Sequence, residues 1–251
     1  TLEDVPQLRL ALAQVNPTVG ALEANADLVL RFTAHAAVRG AHVVAFPEMV
    51  LTGYPVEDLA LRGSFVEASR RTLARLATRL TAEGLGQIAV IVGYLDRDDD
   101  AAHTQRLGRP KGSPQNTVAL LHGGRVVTTQ AKHHLPNYGV FDEFRYFVPG
   151  DHLSIVRLHG IDVALAICED LWQEGGPVAA TRAAGAGLLV GVLRRFLRVP
   201  VKLPGTVQVL KDQRVEPSTV PGAVAVSLVS LAGGASLGPE DALGKMGGGR
   251  G

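Results

Sequence analysis

Three separated segments of this chain hold side chains able to do chemistry. The first is Phe46-Pro47-Glu48-Met49-Val50-Leu51-Thr52-Gly53-Tyr54-Pro55, which puts a carboxylate directly after a short apolar run in a loop punctuated by proline and glycine. Sheets of α/β proteins present reactive groups at strand ends of this kind; an exposed loop glutamate without a task is the alternative. The second runs from Lys132-His133-His134-Leu135-Pro136-Asn137-Tyr138 to Glu143-Phe144-Arg145-Tyr146-Phe147. It is dense in Lys, His, Tyr and Arg and has neither helical nor strand periodicity, which predicts a structured, site-building loop. The two adjacent histidines cannot easily converge on one ion and have no cysteine nearby, so packing or polar support is expected of them rather than metal binding. The third is Ala164-Leu165-Ala166-Ile167-Cys168-Glu169-Asp170-Leu171-Trp172. A cysteine that closes an apolar strand and is followed by two acids and a helix marks a strand-to-helix elbow, exposing the sulfur and aiming backbone N–H groups at its target. Lone cysteines are more often inert core residues, but Glu169 and Asp170 argue against a plain core position.

The elements that must position these groups alternate between strand and helix over residues 1–190. Leu8 to Ala13 is an apolar run of strand length; Leu22, Ala26, Val29, Leu30, Thr33 and Ala37 recur at helical spacing, with Gly40 as a stop. Val43 to Phe46 reads as a short buried strand. Ser64 and Glu67 have capping-box spacing before a helix whose apolar face is Val66, Leu73, Leu76, Ala77 and Leu80. Ala89 to Tyr94 is another strand, and Asp96 to Pro114 a polar loop. Val118–Leu121 and Arg125–Thr129 flank His122-Gly123-Gly124, a hairpin signal that His159-Gly160 repeats between Ile155–Leu158 and Val163–Ile167. A short helix is expected over Ala179–Ala184 and a further strand from Leu188 to Val190. Hairpins mixed with βα units predict an α/β fold with a mixed sheet.

Composition bounds the function. With 46% hydrophobic and 20% charged residues and a net charge of +1, the 251-residue chain is an ordinary globular one, which excludes a strongly basic nucleic-acid binder and a disordered polyampholyte. Nucleic acid and membrane are therefore not expected as partners, since no apolar run reaches the ~18–20 residues of a membrane-spanning helix. One cysteine excludes an internal disulfide or a multi-cysteine metal site. The first residues lack the basic region of a signal peptide, which points to the cytoplasm, and Thr1 suggests a trimmed start. Residues 191–251 differ in character: Phe196 is the only aromatic among them, and 11 Gly and 5 Pro lean toward irregular chain. A boundary is placed near Gly191, and Val224–Leu231 is the one stretch there that reads as a strand.

Together the three segments resemble the nitrilase superfamily of carbon-nitrogen hydrolases, whose catalytic Glu, Lys and Cys occupy these contexts in this order. The segment from Lys132 to Phe147, Gly53-Tyr54-Pro55-Val56-Glu57-Asp58-Leu59 and Ile167-Cys168-Glu169-Asp170-Leu171-Trp172 are most similar to the glutamine-hydrolysing domains of bacterial glutamine-dependent NAD+ synthetases. The resemblance covers roughly residues 7–190. It implies Glu48 as general base, Lys132 as oxyanion stabiliser, Cys168 as nucleophile and Glu143 as the supporting second glutamate. It also implies that Tyr54, Tyr138 and Glu169 border the glutamine pocket. The implied fold is a four-layer α-β-β-α sandwich, incomplete here at its C-terminal end, and the implied assembly a homo-oligomer. No cofactor is implied for the glutaminase step; ATP and Mg would belong to a synthetase domain, of which these residues hold no trace, Gly233-Gly234 being too thin for a phosphate loop.

The departure from the family comes after Val190, where Gly191-Val192-Leu193-Arg194-Arg195-Phe196 matches nothing in the expected continuation. Residues 191–251 are thus expected to be a divergent, frame-shifted or disordered tail. Besides a glutaminase domain, a catalytically inactive remnant and a nitrilase-type amidase of another substrate remain open.

Overall fold

The computed structural model describes residues 7–100, 110, 112–139, 141–181, 183–192 and 225–227. Strand β1 (Leu10–Leu12) leads through helix α1 (Leu22–Val38) to strand β2 (Val43–Ala45). A 3₁₀ turn over Glu57–Leu61 runs into helix α2 (Gly63–Ala82), followed by the strands β3 (Ala89–Arg97), β4 (Pro114–His122) and β5 (Arg125–Ala131). Next come the single turn α3 (Glu143–Tyr146), strands β6 (Ile155–Leu158) and β7 (Ile161–Ile167), and a 3₁₀ turn over Cys168–Leu171. The single turn α4 (Gly176–Ala179) and strands β8 (Leu188–Val192) and β9 (Ala225–Ser227) follow.

The strands form two mixed sheets, ordered β1-β2-β3-β4-β5 and β6-β7-β8-β9. In the first, β1, β2 and β3 are parallel and β4 and β5 are added as antiparallel hairpins. In the second, β6 is antiparallel to β7, while β8 and β9 continue in parallel. Successive strand residues face opposite ways, and the first sheet uses both faces. Val44, Val90, Val92, Ala119 and Leu121 pack with Ala26, Val29 and Leu30 of α1 and Leu73, Leu76 and Leu80 of α2. Val43, Ala45, Ala89, Ile91, Val118 and Leu120 meet Val163, Leu165, Ile167 and Val190 of the second sheet. Burial on both faces explains why Ala89–Leu95 reads as a continuous apolar run; each buried Val, Leu or Ile contributes roughly 1.5–3 kcal/mol.

Two local expectations need correction. Ser64 does not cap α2: the helix begins at Gly63 with Arg62 in the capping position and no side-chain cap. The preceding 3₁₀ turn passes straight into the helix, so Ser64 falls inside the first turn. The short helix expected at Ala179–Ala184 instead occupies Gly176–Ala179, because Pro177 suits a helix's first turn. The outer face of the second sheet, with Ala164, Ala166 and Leu189, is met by Val178 of α4 and by Ala186. Among the described residues no longer helix covers it, so the described layers run helices, sheet, sheet.

Strand β8 reaches Val192, across the boundary placed near Gly191, and β9 lies within the expected Val224–Leu231 strand. The rest of the tail, on which the frame-shift and disorder expectations fall, is outside the described residues. No helix among the described residues is long and apolar enough to cross a membrane.

For the site, direction matters most. β2, β3 and β5 run the same way, so their C-terminal ends share one edge with the start of antiparallel β4. There the Pro47–Gly53 turn is strapped to β3: Phe46 N–H donates to Ile91 C=O and Leu51 N–H to Gly93 C=O, each at 3.0 Å. A β-carbon on Gly93 would lie 2.2 Å from Met49 N, so only glycine lets the turn approach this closely. Gly93→Ala is expected to lower the unfolding free energy by about 1–3 kcal/mol; a urea midpoint equal to wild type would show that the turn is not seated on β3.

Candidate active site

Each candidate side chain stands on a main chain fixed by its neighbours. Glu48 sits in the turn closed by Val50 N–H to Pro47 C=O and Gly53 N–H to Met49 C=O, with Met49 at φ +50°. Lys132 follows β5; its N–H donates to Asn116 C=O and its C=O accepts from Gly150 N–H, both at 2.8 Å. Glu143 opens α3, with its N–H on Pro136 C=O at 3.0 Å. Cys168 directly follows β7 and has φ +45°, where a non-glycine residue is strained by about 1–3 kcal/mol. The sharp elbow expected from the sequence is present, but it opens a 3₁₀ turn rather than a helix. It also leaves Cys168 buried at 4% exposure rather than exposed, because the second sheet packs this residue against the first. The turn leaves its first N–H groups without internal acceptors.

The structure brings Glu48, Lys132 and Glu143 into one buried cluster, exposed by 3%, 1% and 3% respectively. Lys132 Nζ donates to Glu48 Oε1 at 2.8 Å and to Glu143 Oε1 at 2.9 Å, with Glu143 Oε2 2.8 Å away in ion-pair contact. Tyr54 O–H donates to Glu143 Oε1 at 2.8 Å, and Asn116 Nδ2 to Glu48 Oε1 at 2.7 Å. Cys168 is buried within the electrostatic reach of Glu48, Lys132 and Glu143.

Burying two carboxylates and one ammonium together perturbs Lys132 and Glu143. Burial disfavours the Lys132 charge, but Glu48 and Glu143 outweigh it and hold the ammonium well above its ordinary pKa. Glu143 is pushed up to about 7, by burial first and then by the Glu48 charge, with Lys132 and Tyr54 opposing. Burial and the Glu48 charge push the Cys168 thiol well up, only partly offset by Lys132. At neutral pH the sulfur therefore rests as a thiol.

A second group surrounds the elbow. Asp170 is buried and accepts the backbone N–H groups of His133, at 3.2 Å, and of His134, at 2.7 Å, which ties the loop after Lys132 to the turn after Cys168. Burial raises the Asp170 pKa, opposed by those two N–H groups. The histidine rings act as polar supports, against Gly150 C=O at 2.6 Å and Gly175 C=O at 3.3 Å. Tyr138 O–H donates to Glu169 Oε2 at 2.8 Å and Gln173 Nε2 to Glu169 Oε1 at 2.6 Å. Burial and this bond push Tyr138 up to about 12.

All seven residues singled out in the sequence thus fall at one edge of the fold: Glu48, Lys132, Glu143 and Tyr54 in one bonded cluster, Tyr138 and Glu169 as a pair beside Cys168. Sequence inspection missed Asn116, which looks like an ordinary polar position in a strand, and the clamping contact of Asp170.

A family model described as carbon-nitrogen hydrolase matches residues 9–215. The chain belongs to the carbon-nitrogen hydrolase family. That match extends past Val190, further than the motifs themselves. Among curated relatives, the glutamine-dependent NAD+ synthetase of Thermotoga maritima is 38% identical over 182 residues, covering 72% of this chain and 29% of the relative. That of Aquifex aeolicus is 34% identical over 185 residues, covering 74% and 30%. The chain therefore spans under a third of the length of these relatives. Among solved structures, glutamine-dependent NAD+ synthetase from Acinetobacter baumannii in complex with ADP is similar at TM-score 0.63 and 27% identity, over 81% of this chain and 34% of that one. A variant of the nitrilase-superfamily amidase of Nesterenkonia AN1 shares the fold at TM-score 0.58 and 24% identity, over 74% of this chain and 64% of that one.

The Glu143 shift has a definite sign. Its folded pKa of about 7 exceeds the ordinary 4.5, so its contribution to stability is full below about 4.5 and is lost as pH rises to about 7. Glu143→Gln removes this titration. Urea unfolding of both proteins from pH 4.5 to 8 should therefore show the variant gaining on wild type as pH rises; a constant difference would contradict the shift.

Proposed function

We propose that this domain hydrolyses the side-chain carboxamide of glutamine, with Cys168 as nucleophile, Glu48 as general base, Lys132 as oxyanion stabiliser and Glu143 as their support. The observation that carries the reading is the buried Glu48–Lys132–Glu143 cluster within electrostatic reach of the thiol at the β7 elbow. The glutamine-dependent NAD+ synthetases among the relatives give it its substrate.

An amide is a poor electrophile and its nitrogen a poor leaving group. Because Cys168 rests protonated, its proton passes to Glu48 as the sulfur attacks the carbonyl carbon. Lys132 spends two N–H donors on Glu48 and Glu143 and has a third for the oxyanion. The backbone N–H after Cys168 supplies a second donor, each well-placed one being worth about 3–4 kcal/mol. The C–N bond then breaks, Glu48 returns the proton to nitrogen, and ammonia leaves a γ-glutamyl thioester. Water, deprotonated by Glu48, hydrolyses the thioester to glutamate and the free thiol. Tyr54, Tyr138 and Glu169 border the amino-acid end of the substrate, Glu169 offering a carboxylate to its ammonium. No cofactor takes part in these steps.

The ammonia would serve a synthetase domain outside these 251 residues, which amidates nicotinic acid adenine dinucleotide to NAD+ with ATP and Mg. Further strands and an outer helix layer would complete a four-layer α-β-β-α sandwich, and pairing with a second copy follows the same family reading.

Glutamate release from glutamine tests this directly. Wild type is expected to release it and Cys168→Ala to fall by at least about 10³-fold, the usual weight of a lost nucleophile. Folded wild type without release would identify a catalytically inactive domain; a simple amide preferred over glutamine in a panel would identify a different amidase.

A further inference from the structure

Asn116 touches both partners of the ion pair but was not among the motif residues. It lies near the start of β4, buried at 1% exposure. Its backbone C=O accepts Lys132 N–H at 2.8 Å. Its side-chain Nδ2 donates to Glu48 Oε1 at 2.7 Å, the same oxygen that takes Lys132 Nζ at 2.8 Å. Asn116 Oδ1 is sealed from solvent without a hydrogen-bond partner. Rotating the amide would place that oxygen against Glu48 Oε1, so the carboxylate fixes the amide's orientation and the unpaired carbonyl is the consequence. Glu48 Oε2, by contrast, takes neither of these donors.

We infer that Asn116 is a positioning residue which, with Lys132, occupies Glu48 Oε1 and so reserves Oε2 as the oxygen that takes the Cys168 proton. This rests on the proposed assignment of Glu48 as general base. Two donors on one oxygen fix the plane of the carboxylate, and the S–H proton then passes to Oε2 as the sulfur–carbon bond forms. The charged and titratable groups facing Glu48 are Lys132 after β5, Glu143 on α3, Cys168 after β7 and Tyr54 on its own loop. None of them replaces the Asn116 donor, since Lys132 is already bound to the same oxygen and the Tyr54 hydroxyl donates to Glu143. Losing the donor therefore frees the carboxylate to turn, so that Oε2 is no longer reserved for the S–H proton.

Because Cys168 is the only cysteine, its alkylation by iodoacetamide reads the base without any demand for glutamine turnover. Rates would be followed from pH 4.5 to 9 for wild type, Glu48→Gln, Asn116→Ala and the isosteric Asn116→Asp, each checked for folding by circular dichroism. The proposal expects both Asn116 variants to react about tenfold more slowly near neutral pH, the weight of one hydrogen bond to a charged acceptor. With glutamine, kcat should fall by a similar factor while KM stays within about twofold. Folded Asn116 variants with the wild-type alkylation rate and kcat overturn the positioning role alone. A Glu48→Gln variant that keeps the wild-type profile overturns the base assignment together with it.

Discussion

An ammonium held between two carboxylates, out of reach of water, is the constraint around which this domain is built. Lys132, Glu48 and Glu143 meet at 2.8–2.9 Å with almost no solvent exposure. Desolvating three ionisable groups is unfavourable, and attraction offsets it only when geometry is tight and the remaining lone pairs and protons find partners. Tyr54 and Asn116 provide two such partners, one for each carboxylate. Part of the imbalance persists as the raised Glu143 pKa and as the unpaired Asn116 carbonyl. The strained φ of Cys168 adds a backbone contribution at the same place. Unfavourable features concentrated in one spot of an otherwise well-packed fold are the mark of a site shaped for chemistry.

The fold meets that constraint through its main chain. The turn carrying Glu48 rests on the bare backbone of Gly93, and Lys132 is fixed by β4 and by Gly150. Asp170 joins the Lys132 loop to the Cys168 turn through two backbone N–H groups. The two halves of the site belong to different sheets, and the Val, Ile and Leu side chains between those sheets hold them in register. Core packing and site geometry are therefore coupled: shifting one sheet against the other would move the sulfur relative to the carboxylate.

Much of this was legible in the sequence, for identifiable reasons. Both hairpins followed from their glycine-containing turns, Gly123-Gly124 and His159-Gly160, and the elbow from a cysteine closing an apolar run. Glu48, Lys132 and Glu143 stood out because charged residues sat among aromatics and turn formers. The start of α2 differs because a capping-box spacing carries no information about the 3₁₀ turn that runs into it, and α4 because Pro177 starts the turn ahead of the alanine-rich stretch. Asn116 was invisible for a different reason. A polar residue in an alternating strand is ordinary, and only the pairing of β4 with its neighbours shows that this one faces a carboxylate.

The most direct test of convergence is intact-mass spectrometry of the chain quenched in acid during turnover of glutamine. The account predicts a γ-glutamyl adduct on Cys168 that is lost in Glu48→Gln and in Lys132→Met. Glutamine consumption with no adduct on that sulfur, or an adduct undiminished in both variants, would contradict it.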